Sequence, residues 1–173
     1  GCATGNGSVS GTPGSADTVI ISANDTVTVD AASAALSLTL GDPSGSSGLY
    51  GLTINGTNTL TVTNAVTLPT VTRNNKTSVF AVGAGTLNAA SISIPGGTGI
   101  NRISQVTVST GTINVTGSIT FSGIPDSAVF VSTGASTVNV GGNFTNGGTL
   151  STGGTSTINF NGSGTQIIGA YTT

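Results

Sequence analysis

The chain has 173 residues, enough for one domain with its own core and short of the usual length for two. Only 5% of it is charged, the net charge is −2, and it has one cysteine and no His, Trp or Met. Such a composition argues against a nucleic-acid surface, which needs clustered Lys and Arg, and against a His/Cys metal cluster. No apolar run approaches the roughly 18 residues of a membrane span.

Small and β-branched residues dominate, which suits stacked strands and disfavours helices. Residues 1–15, GCATGNGSVSGTPGS, lie outside any repeat and read as an N-terminal arm. Cys2 falls there; alone, it can make no disulfide within the chain. From residue 16 to 173 the sequence is punctuated by a four-residue pattern, Thr–apolar–polar–apolar. It occurs as TVTV from Thr26, TLTV from Thr59, TLNA from Thr86, TINV from Thr112, TVNV from Thr137 and TINF from Thr157.

Each copy sits between similar flanks. Before it comes a short apolar run: VIIS from Val19, LTIN from Leu52, VFAV from Val79, VTVS from Val106, VFVS from Val129. After it comes a small corner and a third run, as in NAVTLPT from Asn64, ASISIPGG from Ala90, GSITFSG from Gly117 and GGNFTNGG from Gly141. Three short strands per repeat predict an all-β fold, a parallel β-helix (β-solenoid) of about six three-stranded coils. Alternate residues then face inward. A lone coil cannot bury its apolar side, so stacking at about 4.8 Å must close the core, giving a rod of roughly 30 Å. The alternative is a β-sandwich fibre subunit completed by donor-strand exchange through the arm.

The stretches STGTINVTGSITFSG and GGNFTNGGTLSTGGTSTINFNGSGTQIIG resemble bacterial extracellular β-helix repeats. Such repeats occur in filamentous-haemagglutinin-type adhesins, autotransporter passengers and related surface proteins. The resemblance covers residues 17–169 and is one of repeat style; it implies a right-handed coil and a secreted, cell-surface setting, and carries no catalytic or binding residue across.

The outward positions should form ladders: Thr26, Thr59, Thr86, Thr112, Thr137 and Thr157 in one column, and Thr28, Thr61, Asn88, Asn114, Asn139 and Asn159 in the next. Stacked Thr is common in strands and stabilises modestly, but a flat Thr/Asn array could also order water or dock glycans. Seven Asn-X-Ser/Thr sequons occur, of which Asn24, Asn55 and Asn75, in turns, are the candidate glycosylation sites. The five Asp are too dispersed for acid–base chemistry and there is no His to activate a Ser, so no enzyme and no cofactor are expected.

Neither end of the repeat region shows a capping helix, and no charge follows Asp126. A bare coil exposes unpaired strand edges. The expectation is therefore a structural subunit of an extracellular filament whose partner is another copy of itself. Val19, Ile20 and Ile21 would meet Gln166, Ile167 and Ile168 of the next copy, with the arm as a clasp. The alternatives are a section of a longer adhesin stalk, or a glycan- or ice-binding solenoid; nucleic acid and a membrane span are not expected.

Overall fold

The computed structural model describes residues 13–43, 49–124, 126–145 and 148–171. The first twelve residues, and hence most of the expected arm, lie outside them. After β1 (Thr18–Ile21) the chain makes a turn with β2 (Thr26–Val29), β3 (Ser33–Ala35) and β4 (Ser37–Leu40). β5 (Leu49–Ile54) opens the second turn, and the nine-residue β6 (Thr59–Thr67) serves two of its faces, its register shifting between Val62 and Ala65. β7 (Lys76–Ala81) and β8 (Thr86–Ile94) repeat that plan. The fourth turn is β9 (Arg102–Val108), β10 (Thr112–Val115) and β11 (Ile119–Phe121), and the fifth is β12 (Ala128–Ser132), β13 (Thr137–Val140) and β14 (Phe144–Thr145). β15 (Thr149–Thr152) and β16 (Thr157–Phe160) follow, and the last third strand is reduced to a single bridge between Ile168 and Phe144.

Every pairing is parallel and joins one turn to the next. The first face is the six-stranded sheet β2-β5-β7-β9-β12-β15. The second runs from β3 through the first halves of β6 and β8 to β10, β13 and β16. The third runs from β1 and β4 through the second halves of β6 and β8 to β11 and β14. The fold is thus an all-β solenoid, and the sandwich alternative falls because the strands within its two sheets would pair antiparallel. The coil count is refined: four turns, from β5 to β14, are complete and covered on both sides, and thinner turns flank them.

Inward residues stack on their equivalents. Leu52, Phe80, Val106, Phe130 and Leu150 line the first face. Leu60, Leu87, Ile113, Val138 and Ile158 line the second, and Leu38, Val66, Ile92, Ile119 and Phe144 the third. Those in the inner turns are wholly buried, and each such side chain contributes about 1.5–3 kcal/mol of transfer free energy.

Two sequence assignments are corrected by the register. Thr26 and Thr28 are not the first rungs of the Thr59 and Thr61 columns: they pair with Gly51 and Thr53 on the first face, and the place below Leu60–Val62 belongs to Ser33–Ala35. All three faces of a solenoid demand the same alternation, so TVTV alone cannot say which face it takes. Its neighbour also broke the pattern, because the Gly51 position tolerates no side chain: a Cβ there would stand 1.8 Å from the Val79 carbonyl oxygen, at φ +145°. Likewise Val19–Ile21 does not open a first-face strand equivalent to Leu52–Ile54 but lies on the third face, against β4.

Candidate functional surfaces

Three surfaces carry the expected residues. The first is the outer side of the second face. Thr59, Thr86, Thr112, Thr137 and Thr157 stand in register, one per turn. Beside them the amides form a continuous chain. Asn114 Nδ2 donates to Asn88 Oδ1 at 2.8 Å, Asn139 Nδ2 to Asn114 Oδ1 at 2.8 Å, and Asn159 Nδ2 to Asn139 Oδ1 at 2.9 Å. The chain weakens at its start, where Asn88 Nδ2 lies 3.5 Å from Thr61 Oγ1. Each inner Asn uses its carbonyl and one N–H on its neighbours, so the row is largely self-satisfied. A shallow depression of about 430 Å³ opens beside it, lined by Asn114, Asn139, Asn161 and Gly141 among others.

The second surface is the pair of solenoid ends. Among the described residues, β15 and β16 pair on one side only, as do β1, β2 and β3. Val19 and Ile21 point inward, Val19 half-buried, while Ile20 points out opposite Thr39 and is 54% exposed. At the other end Ile167 and Ile168 are 59% and 58% exposed. Gln166 is not free for an interface: its Nε2 donates to the Val140 carbonyl at 2.9 Å and to that of Gly142 at 2.5 Å, and its Oε1 accepts from Gly162 N at 3.0 Å. It pins the closing segment to the turn below. Tyr171 does the same through a ring packed on Phe121 and Phe144 and a hydroxyl donating to the Phe144 carbonyl at 2.5 Å. Burial pushes its phenol up to about 12, against a smaller opposing pull from the Gly169 backbone. Sequence reasoning missed this residue, although an aromatic after the last repeat was the available signal.

The third surface is the edge where the third face passes to the first, and where the connecting loops are longest. Asn24 and Asn75 lie on it, exposed and at φ 74° and 55°; Asn55, also exposed, sits in the turn between β5 and β6. Asn114, a sequon inside the amide ladder, has both ends of its side chain engaged and offers no room for a glycan. Arg73, Lys76 and Arg102, all the cations of the chain, share this edge. Arg102 is held by neutral acceptors, its Nε donating to Asn74 Oδ1 at 2.8 Å and its Nη1 to Thr98 Oγ1.

No protein-family model, curated protein or solved structure matches the chain. The resemblance to bacterial surface repeats therefore rests on repeat style alone.

Proposed function

We propose that the chain is a non-enzymatic, structural subunit of an extracellular or cell-surface filament, joined head to tail by stacking one copy's last turn on the next copy's first. The observation that carries this reading is the match between the two ends. Among the described residues the first and second faces offer an unpaired strand edge at both ends, so axial continuation sets β15 on β2 and β16 on β3. The third face carries one row more, so β1 of the next copy and the Ile168 segment meet in the same row and one must give way to the other. By the register of the inner turns, Leu150 would fall on Val27, Ile158 on Ser33 and Phe160 on Ala35. The large side chains of one end meet the small ones of the other. Successive second-face strands begin 27, 26, 25 and 20 residues apart. One turn per side therefore supplies the roughly 20–30 residues of a standard stable interface.

The same continuity would serve a section of a longer adhesin stalk. A glycan- or ice-binding role stands second, favoured by the flat Thr/Asn array. Ala34 and Asn159, both outward, would be axial neighbours across the joint, within the 4.4–6.8 Å Cα separation that a disulfide bridges. A Cys2→Ser chain carrying Ala34→Cys and Asn159→Cys should oxidise to a reducible ladder of multimers, and electron microscopy should show fibres. Monodisperse monomers at high concentration would defeat the reading.

A further inference from the structure

Six of the chain's eight charged residues lie on the edge between the third and first faces. Asp25 precedes β2 and Asp42 follows β4. Arg73 precedes β7, Lys76 opens it, Arg102 opens β9, and Asp126 precedes β12. Turns stack at about 4.8 Å, so along the axis the edge reads acid, acid, two bases, base, acid. It is a stripe of segregated sign.

Neutral partners fix several of these groups. Asp42 accepts from Thr72 N at 3.2 Å and Thr72 Oγ1 at 2.5 Å, Asp126 accepts from Thr149 Oγ1 at 2.9 Å, and Arg102 donates to Asn74 and Thr98. Such bonds orient a side chain while leaving its charge to act on something else. Lys76 and Arg102 are direct partners in the strand register, an arrangement of like charges that costs stability within the chain.

We propose that this edge is an interface between two antiparallel copies of the chain, related by a two-fold axis perpendicular to the solenoid between its second and third turns. Reversing the stripe about that point sets Asp25 against Arg102 and Asp42 against Arg73 and Lys76, each twice by symmetry. No adjustment of spacing is needed, because both copies climb by the same step. Ile100, 85% exposed on the loop before Arg102, is covered in the same contact. Asp25 and Arg73 are exposed and Asp42, Lys76 and Arg102 only half-buried, so the contact is weak and screened by salt, and it strengthens when many copies are already stacked in a row. It uses a side of the solenoid rather than its ends, and so stands independently of the head-to-tail reading.

The test is sedimentation of the full chain across ionic strength. Side-by-side association should weaken by at least about tenfold between roughly 20 mM and 500 mM salt. Arg102→Asp alone and Asp25→Arg alone should each cost about tenfold at low salt. The double variant Asp25→Arg/Arg102→Asp should recover, because the swapped charges meet again across the two-fold. These positions are in exposed turns or at a strand start, and circular dichroism would verify that each variant folds. Absence of salt-sensitive association, single variants that pair normally, or a double variant no better than the singles would overturn the proposal. So would Arg102-dependent binding of heparin by a chain that does not self-associate.

Discussion

The turns up to β6 and those from β10 onward follow one plan but cohere by different means. In the first half the core is aliphatic, built on Leu38, Leu40, Leu52, Ile54 and Leu60. Two of the loops at the charged edge are eight residues long there, at 41–48 and 68–75. In the second half the corresponding loops shrink to six residues (122–127) and three (146–148), and no charge follows Asp126. There Phe121, Phe130, Phe144, Phe160 and Tyr171 form one ring cluster inside, while the amide row runs outside. Repetition of identical neighbours supplies cohesion in one half; departure from it supplies chemical variety in the other.

The strongest way to break that contrast is to remove Phe144, whose ring lies 5.2–6.0 Å from those of Phe121, Phe130, Phe160 and Tyr171. Phe144→Ala should cost about 3–5 kcal/mol. Because each turn contacts only its neighbours, the loss should be local. Hydrogen exchange should speed up from β10 to β16 while β1–β6 stay protected. Equal acceleration throughout would mean that the two halves are one cooperative unit.

Next in size is Asn114→Ala, which cuts the amide row in two. It removes one donated and one accepted bond, each worth about 0.5–1.5 kcal/mol net, so a loss of about 1–3 kcal/mol by chemical denaturation is expected. Thr112→Ala, in the parallel column, should cost only about 0.2–1 kcal/mol. Equal costs would show that the amides add nothing beyond strand packing.

Tyr171 offers a milder lever on the same half. Its phenol titrates near 12 in the fold against 10.0 ordinarily, because burial disfavours the charged form. The unfolded chain therefore gives up its proton first as pH rises. The stabilisation is complete below pH 10 and disappears as pH climbs from 10 towards 12. Absorbance titration should show one phenol ionising near 12, a step that Tyr171→Phe removes, and Tyr171→Phe should flatten the alkaline decline in melting temperature. A normal titration for both tyrosines would mean that the closing segment is not packed on Phe144.

The fold was legible in the sequence where the repeats are most alike. From Thr59 onward the Thr–apolar–polar–apolar pattern gave the face, the register and the ladder residue by residue. It failed at the first turn, because TVTV at Thr26 satisfies any face, and the segment that does lie under β6, Ser33–Ala35, is too small to announce itself. Gln166 was legible as a residue of the closing segment but not as a pin, since its partners are backbone carbonyls 24 and 26 residues away. The charged edge was invisible for a related reason. Asp25, Asp42, Lys76 and Arg102 lie far apart along the chain, and only the stacking order brings them into one stripe.

The smallest expected effect tests whether the contrast between the halves can be moved. The amide row stops at Thr61, whose hydroxyl is 3.5 Å from Asn88 Nδ2, against 2.8–2.9 Å for the amide pairs above. Thr61→Asn places a carbonyl oxygen in register with Asn88 and exchanges a long contact for a full amide bond. Against this, Asn is a poorer strand residue than Thr. The new N–H₂ would face Ala34, so only one bond is gained. The balance is a stabilisation of about 0.5 kcal/mol, read as a shift in denaturation midpoint at unchanged slope. If Ala34→Asn then adds a second increment of similar size, the row propagates by nearest-neighbour bonds alone, and its present limit at Thr61 is set by side-chain identity. Destabilisation by both changes would instead place that limit in the backbone of the first turns, which would then differ from the later ones in geometry as well as in sequence.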